Sequence, residues 1–247
     1  MERKNFLRTF VFAAAAGPMI MDACKKDSAS TTTSSSTGET IAADTNAGSS
    51  ACRVTPTEVE GPYPYPGGEL TNPLNRADIL GGQTGVPLIL NLLVVNTNDN
   101  CNAVANARVD IWHCNKDGYY SGYSGQQGQL GSKNYTGETW LRGYQTTDDK
   151  GAVTFTTVYP GWYSGRATHI HFEVFINSVL KKTAQFAFPE TISDAVHNNY
   201  GVGPNTTRNA QDGILGNSAT DLANETPSLT GSIAAGYTGT YTFGIAV

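Results

Sequence analysis

Short runs of β-branched and aromatic residues, most of them bounded by Asn, Asp or Gly, most strongly constrain how this chain can fold. They lie at 86–96, 107–114, 151–158, 169–177, 181–188 and 239–247. Such runs are typical of strands closed by turns. The 27 glycines and the low charged fraction of 15% also favour a turn-rich all-β chain. The sequence therefore predicts a single antiparallel β-sandwich whose long loops carry the active site.

Three segments between these runs are not typical of strands. Residues 55–68, TPTEVEGPYPYPGG, are too rich in proline and glycine and predict an extended, rigid segment that covers the fold. The connection over 115–147 is unusually long, and loops of that length are usually functional or disordered. Its tyrosines argue against disorder. Residues 189–199 predict a short helix with Thr191 or Ser193 as its N-cap.

The first 51 residues differ in composition from the rest of the chain. Basic residues followed by a short apolar run within 1–23 are typical of an export signal. The pair Ala23-Cys24 resembles a bacterial lipobox, in which the cysteine is acylated and anchors the protein to a membrane. Residues 24–51 are rich in Ser and Thr and predict a flexible tether. We therefore expect an exported protein of the periplasm or cell surface, with a folded domain over 52–247 and Cys24 as an optional lipid anchor.

Three cysteines belong to the predicted folded domain: Cys52, Cys101 and Cys114. Export permits a disulfide, and the odd count leaves one thiol over. If residues 107–113 are extended, Cys101 and Cys114 are separated by roughly 20 Å or more, which disfavours that pair. We expect a Cys52–Cys101 disulfide and a buried Cys114.

A His-Ile-His triplet in one predicted strand is the first candidate for chemistry. Residues i and i+2 of a strand point to the same face, so His169 and His171 project side by side while Ile170 faces the core. This arrangement can chelate a metal, although paired histidines on a strand also occur as packing or surface residues. Elsewhere, we interpret His113 as a hydrogen-bonded structural residue and His197 as a solvated residue of the short helix.

Two tyrosines can extend the histidine pair to a ligand set. A Pro-Gly pair predicts a turn before the histidine strand, and Tyr163, two residues later, can face back toward the histidines. The alternative is a tyrosine that caps a sheet edge. Tyr120 follows another strand through an Asn-Lys-Asp-Gly turn, and Tyr119 and Tyr123 are rivals for its place.

Two neutral imidazoles and two phenolates form a coherent donor set for a hard, high-valent cation. Iron(III) suits anionic oxygen donors, and its charge lowers the pKa of a bound phenol far below the reference value of about 10. Zinc more often recruits cysteine, histidine or carboxylate. The pattern therefore favours non-haem iron(III), with copper as the alternative metal.

Longer stretches of the sequence resemble a known family. The segments EGPYPYP, VDIWHCNKDGYYSGY, LRGYQTTDDKGAVTFTTVYPGWYSGRATHIHFEVF and AQFAF are similar to the intradiol ring-cleavage dioxygenases, the family of catechol 1,2-dioxygenase and protocatechuate 3,4-dioxygenase. The similarity covers the chain from 52 to 188. The DIWHCN segment and the additional cysteines most resemble the extracytoplasmic branch. A low-complexity tether stands where catechol 1,2-dioxygenases carry a helical dimerisation segment, so the oligomeric state stays open.

The resemblance assigns a role to each matching position. It implies that Tyr120, Tyr163, His169 and His171 are the protein ligands of a non-haem Fe(III). It further implies that Tyr163 is the axial ligand that leaves when substrate binds. Arg166 falls where the family places an arginine over the substrate ring, and Gln185 falls where it has a glutamine beside that ring. Outside the resemblance, Arg166 can simply pair with a carboxylate and Gln185 can satisfy backbone groups.

The resemblance also implies the reaction and the partners. A catecholic aromatic and O2 would be the substrates, with oxygen inserted between the two hydroxylated carbons to give a cis,cis-muconate-type diacid. Nucleic acid is not an expected partner, because the formal charge of −5 opposes contact with phosphates. A surface β-sandwich that binds an aromatic or carbohydrate ligand without turnover is the alternative from a different functional class.

Overall fold

Two β-sheets share one apolar core in the computed structural model, which describes residues 52–247. The strands are β1 (Pro87–Asn96), β2 (Asn102–Ala103), β3 (Arg108–Trp112), β4 (Gln126–Gly128), β5 (Gly131–Lys133), β6 (Arg142–Thr146), β7 (Ala152–Val158), β8 (His169–Ile176), β9 (Val179–Ala187), β10 (Ser228–Ser232) and β11 (Gly236–Ile245). The helices are α1 (Glu190–Tyr200) and α2 (Ala219–Asn224), with 3-10 turns at Glu69–Thr71 and Asn209–Gln211. The predicted all-β sandwich class is confirmed.

The first sheet is built around the apolar strand β1. Its order is β10-β11-β1, and β7 and β2 pair with β1 as well. The pair of β1 and β11 is parallel, with Leu88 opposite Tyr237, whereas the other strand pairs of this sheet are antiparallel. A parallel pair requires a long crossover connection, and here the whole of the second sheet lies between the two strands in sequence. The predicted sandwich is therefore antiparallel except at this pair.

The second sheet has the order β6-β3-β8-β9. One face of this sheet packs in the core, and the other carries the candidate ligand histidines. Alternate residues of β8, Ile170 and Phe172 among them, face the core. Phe172 contacts Phe243 of the first sheet with ring centroids 3.8 Å apart, and burying such a side chain contributes about 1.5–3 kcal/mol. The intervening residues, His169 and His171, lie on the opposite face of the sheet. The core thus fixes the orientation of the histidines.

One row of directly opposed residues crosses the second sheet on the histidine face. Trp112 is opposite both Arg142 and His171, and His171 is opposite Gln185. Directly opposed side chains in an antiparallel sheet project to the same side. Strand register therefore brings four residues from distant sequence segments, Arg142, Trp112, His171 and Gln185, into one line across the sheet.

The predicted helix is present, but its start differs from the prediction. Helix α1 has Pro189 as its N-cap and no side-chain cap, so the predicted cap at Thr191 or Ser193 is wrong. Thr191 already lies in the first turn, and the hydroxyl of Ser193 is bonded to Tyr159 at 2.8 Å. The β8–β9 turn consists of Asn177 and Ser178, at φ values of 51° and 60°, which fit a two-residue hairpin turn.

The cysteine prediction is confirmed. Cys52 and Cys101 form a disulfide, and Cys114 is buried as a free thiol. The predicted export signal (1–23), the tether (24–51) and the lipid anchor at Cys24 lie outside the described residues. Over 52–247, no helix has both the length and the apolar character needed to cross a membrane.

A buried acid at the end of α2 gives the fold a testable pH dependence. Glu225 is fully buried, and neither of its carboxylate oxygens has a hydrogen-bond donor within residues 52–247. Burial, followed by the nearby carboxyl of Glu58, raises the pKa of Glu225 to about 8. The folded protein therefore holds a proton that the unfolded chain releases near pH 4.5. The resulting stability is complete below that pH and is lost as pH rises toward 8.

We expect Glu225→Gln to remove most of the pH-dependent loss of stability that Glu225 causes. Between pH 5 and pH 8 the free energy of unfolding of the parent protein should fall by on the order of 2 kcal/mol more than that of the variant. The buried acids Glu69 and Glu173, whose pKa values are raised to about 7, contribute equally to both proteins. Urea unfolding at the two pH values measures both. Glu138→Gln, at an exposed glutamate, is the matched control and should behave as the parent does. An equal fall in Glu225→Gln would contradict the assignment.

Candidate metal centre

Four side chains singled out by the sequence converge at one end of the second sheet. The Nε2 atom of His169 lies 3.4 Å from the Oη of Tyr120 and 3.4 Å from the Oη of Tyr163. It also lies 3.1 Å from the Nε2 of His171. Three of the four side chains are buried and Tyr163 is half-buried. No group of three or more His, Cys, Asp or Glu residues within 52–247 is arranged to hold a metal, so the phenols are essential members of this donor set.

Antiparallel pairing explains why these residues meet. Strand β3 ends at Trp112, directly opposite His171 near the start of β8. The loop that leaves β3 therefore emerges beside the histidines, and Tyr120 lies in that loop. Gln126 fixes its backbone, since the Gln126 side chain accepts from the Tyr120 N–H and donates to the Tyr120 carbonyl, both at 2.7 Å. No sequence pattern marked Gln126 for this role, because an isolated glutamine in a loop has no periodicity.

The two rival tyrosines are bonded elsewhere. The hydroxyl of Tyr119 donates to the Gly131 carbonyl at 2.7 Å. The hydroxyl of Tyr123 donates to the Pro64 carbonyl at 2.7 Å. Among the three candidates in the loop, Tyr120 is the one whose hydroxyl contacts His169.

Hydrogen bonding fixes the tautomer of His169. Its Nδ1 lies 2.6 Å from the carbonyl oxygen of Ala167, and a carbonyl can only accept, so Nδ1 carries the proton. The unprotonated Nε2 then points at both phenols, which is the orientation that a metal ligand needs. Burial, reinforced by the charge of Arg166, lowers the pKa of His169 to about 3. His169 is therefore neutral and able to donate an electron pair at neutral pH.

His171 is held mainly by packing, and its Nε2 also contacts the Nε2 of His169 at 3.1 Å. Its ring stacks on Trp112 with centroids 5.1 Å apart and an interplanar angle of 4°. A Cβ added at Gly61 would lie 2.7 Å from the His171 Cε1. Burial lowers the pKa of His171 well below its usual value. The Nδ1 atom of His171 has no partner within 52–247, so the Trp112 and Gly61 contacts orient this ring.

The phenols favour a bound cation. Burial raises the pKa of Tyr163 to about 12 and the pKa of Tyr120 well above its ordinary value. Both hydroxyls consequently keep their protons unless a positive charge lies between them. Two neutral imidazole nitrogens and two buried phenol oxygens that face one another form a donor set that fits a trivalent cation.

The extended segment 55–68 covers the centre, in agreement with its predicted form. Tyr63 stacks on Tyr120, with ring centroids 4.7 Å apart. The carbonyl of Val59 accepts from the Gln185 side chain at 2.8 Å. Together with Gly61, these contacts place the segment against one phenol and one imidazole of the donor set. No periodic signal in the sequence marked Tyr63 as part of this environment.

Arg166 and Gln185 lie beside the four candidate ligands. The Nη1 of Arg166 is 3.4 Å from the Oη of Tyr163 and 3.4 Å from the Nε2 of His169. Its Nη2 donates to the Gln185 side chain. The carboxylate that pairs with Arg166 is Asp212, which is fully buried and not a surface residue. Gln185 bonds both a backbone carbonyl and Arg166, so it satisfies a backbone group and also holds the guanidinium.

The two remaining histidines differ from each other. His113 is buried, with Nδ1 2.7 Å from the Cys114 carbonyl and Nε2 2.8 Å from the Thr157 hydroxyl, which agrees with a structural residue. The interpretation of His197 as solvated is wrong. It is 2% exposed and its Nε2 lies 3.1 Å from the Pro160 carbonyl, because α1 packs this face against the turn that carries Tyr163.

Comparisons with known proteins agree on one class of enzyme. Residues 59–200 match the family model described as Dioxygenase. Catechol 1,2-dioxygenase 1 from Acinetobacter lwoffii is 28% identical over 152 residues, which cover 53% of this chain. The chain spans 45% of the length of that curated relative.

Solved structures give the same indication. The intradiol ring-cleavage dioxygenase from Tetranychus urticae has a TM-score of 0.68 and 26% identity, covering 79% of this chain and 95% of its own. The 3-chlorocatechol 1,2-dioxygenase from Rhodococcus opacus 1CP has a TM-score of 0.54 and 19% identity, covering 78% of this chain and 72% of its own. The latter is a likeness of fold.

Proposed function

This chain belongs to the intradiol ring-cleavage dioxygenases, and from that membership we propose that it cleaves catecholic aromatics with O2 at a non-haem iron(III). One observation carries the proposal: the hydroxyls of Tyr120 and Tyr163 lie within 3.4 Å of the Nε2 of His169, which in turn faces His171. These four residues would hold the metal. Bound iron(III) supplies Lewis acidity toward the catechol oxygens and accepts electron density from the ring.

Tyr163 is the proton acceptor in this proposal. It is half-buried, whereas Tyr120 is fully buried, so Tyr163 is the phenol that can move without breaking the core. Burial raises the pKa of Tyr163, and the nearby Arg166 guanidinium opposes that effect. A Tyr163 phenolate released from the centre would therefore be a strong base that takes one catechol proton at its Oη atom.

Arg166 and Gln185 would stabilise negative charge on the substrate. The Nη1 of Arg166 faces the Tyr163 and His169 side of the centre, where a ring would enter once Tyr163 moves. A fixed cation and an amide in a site shielded from water stabilise charge as it develops. The overall reaction is balanced without an external reductant, since both atoms of O2 end in the two carboxyl groups of the diacid product.

We further propose that the enzyme works outside the cytoplasm, with membrane attachment through Cys24 as one arrangement. The Cys52–Cys101 disulfide supports this location, since such bonds persist mainly in oxidising compartments. An electron-rich catechol, O2 and a metal retained by the protein require no cytoplasmic cofactor.

Oxygen uptake with a panel of catechols tests the proposal. The iron-loaded protein should consume one O2 per catechol and yield a product heavier by two oxygen atoms, with the ultraviolet absorption of a muconate. Binding of an aromatic or carbohydrate without oxygen uptake would contradict it, as would a yellow semialdehyde, the product of extradiol cleavage. Elemental analysis of the same sample separates iron from copper.

A further inference from the structure

A segment beyond the matched residues 59–200 forms hydrogen bonds with Arg166. We call Asn205 and Asp212, the two residues of this segment that bond to Arg166, the arginine clamp. The Nδ2 of Asn205 donates to the Arg166 carbonyl at 2.9 Å. The Oδ2 of Asp212 accepts from the Arg166 Nε at 2.8 Å and from the Ala167 N–H at 2.6 Å. Both the backbone and the side chain of Arg166 are therefore fixed by the clamp.

Asp212 is itself rigidly held. Its other oxygen, Oδ1, accepts from the backbone N–H groups of Ile214 at 2.8 Å and Leu215 at 3.1 Å. Leu215 is buried against Ala167 and Ala187. Burial raises the pKa of the Asp212 carboxyl, but the hydrogen bond and charge of Arg166 outweigh it and hold that pKa below its usual value. The carboxylate is thus a fixed negative charge in a buried position.

One guanidinium nitrogen of Arg166, Nη1, is not bonded to Asp212 or Gln185 and faces the candidate metal centre. Its Nε is bonded to Asp212 and its Nη2 to Gln185. Its Nη1 faces the Oη of Tyr163 and the Nε2 of His169, each at 3.4 Å. An arginine side chain loses up to about 2 kcal/mol of rotamer entropy when it is fixed, and here that ordering is already present before a ligand binds.

We propose that Asp212 is a positioning residue that aims the Nη1 of Arg166 at the reacting ring. This inference rests on the proposed function of the centre. Asp212 does not touch the four candidate ligands; it acts through the Arg166 side chain, while its bond to the Ala167 N–H holds the adjacent backbone. Its effect on catalysis therefore depends on the presence of Arg166.

A double-mutant cycle tests that dependence. Asp212→Asn keeps one acceptor oxygen but removes the charge, and it turns an amide NH2 toward N–H groups from which the carboxylate accepted. We expect kcat/KM to fall about 10- to 100-fold, mostly through kcat, because small misplacements of a catalytic group have effects of this size. In an Arg166→Ala background, the same substitution should change kcat/KM by less than about threefold, since the two effects are not additive. Iron content should be unchanged in all four proteins.

The matched control is Asp194→Asn, which weakens a pair in which both Asp194 oxygens accept from the Nη1 of Arg208 and both side chains are about one-third or more exposed. It should leave kcat/KM unchanged. Equal losses from Asp212→Asn in the two Arg166 backgrounds would overturn the inference, because a merely structural defect persists without the arginine. If Asp212→Asn does not fold, Asn205→Ala removes the other bond of the clamp and enters the same cycle.

A second measurement does not require activity. In protein labelled with 15N-arginine, the Nε–H of Arg166 should exchange with solvent at least about tenfold more slowly than that of Arg208, because a buried bonded N–H must open before it exchanges. Equal exchange rates would overturn the inference even in an active enzyme. Slow exchange of Arg166 in a protein that turns over no catechol would instead overturn the proposed function and leave the clamp intact.

Discussion

Replacing Tyr120 by phenylalanine is expected to abolish ring cleavage and to weaken the visible colour of the iron-loaded protein. The Oη of Tyr120 is buried 3.4 Å from the Nε2 of His169, so the change removes one anionic donor and leaves the ring on its Tyr63 stack. We expect kcat/KM to fall by at least about a thousandfold, equivalent to roughly 4 kcal/mol of barrier. Phenolate-to-iron(III) charge transfer should weaken together with it. Oxygen uptake and absorption spectra measure the two effects.

The control for this experiment is the neighbouring tyrosine. The hydroxyl of Tyr119 donates to the Gly131 carbonyl and accepts from the Leu130 N–H at 3.0 Å. Tyr119→Phe should therefore destabilise the fold by about 1 kcal/mol and leave the absorption band unchanged. A band that is unchanged in Tyr120→Phe and weakened in Tyr119→Phe would mean that Tyr119, and not Tyr120, holds the metal.

Gly61→Ala should weaken retention of the metal without replacing any proposed ligand. The added Cβ would lie 2.7 Å from the His171 Cε1, and the φ of Gly61 is +79°. The ring would have to move, and it is already confined by its stack on Trp112. Because groups that orient a ligand typically change metal affinity by 10- to 100-fold, we expect iron loss to a chelator to accelerate to about that extent.

A substitution at Gly137 is the control that distinguishes the steric contact with His171 from backbone strain. Gly137 has a φ of +85°, and a Cβ added there would meet nothing within 4 Å. Gly137→Ala should therefore lose about 1 kcal/mol of unfolding free energy from the left-handed backbone alone. Its iron should be retained as in the parent protein. Equal chelator rates for the two variants would show that His171 is not oriented by Gly61.

The parts of the fold that could be predicted depend on local periodicity. Alternation along 169–177 predicted a strand with His169 and His171 on one face, and the structure has that strand and that face. The parallel pairing of β1 with β11 could not be predicted in this way, since it joins residues about 150 positions apart. His197 was misjudged for a related reason, because the packing partner of α1 is not visible in its own composition.

The arrangement of the centre could be predicted only as far as the resemblance reached. That resemblance pointed to Tyr120 among three loop tyrosines, and the structure brings its hydroxyl to His169. Asp212 lies 46 residues beyond Arg166 in sequence, and a single aspartate in an irregular segment gives no signal. The same is true of Gly61, whose importance lies in a missing side chain. Contacts of this kind become visible only when distant segments have been packed together.

Because side chains alternate along β8, selection for a stable core and selection for metal binding act on different, neighbouring residues of one strand. Ile170 and Phe172 supply the apolar interior, while His169 and His171 supply electron pairs to the opposite side. Substitutions that adapt the interior to heat or cold are therefore one residue away from the donors and need not alter them. Conversely, a relative could exchange its metal, or lose its catalysis entirely, and still inherit the same sandwich.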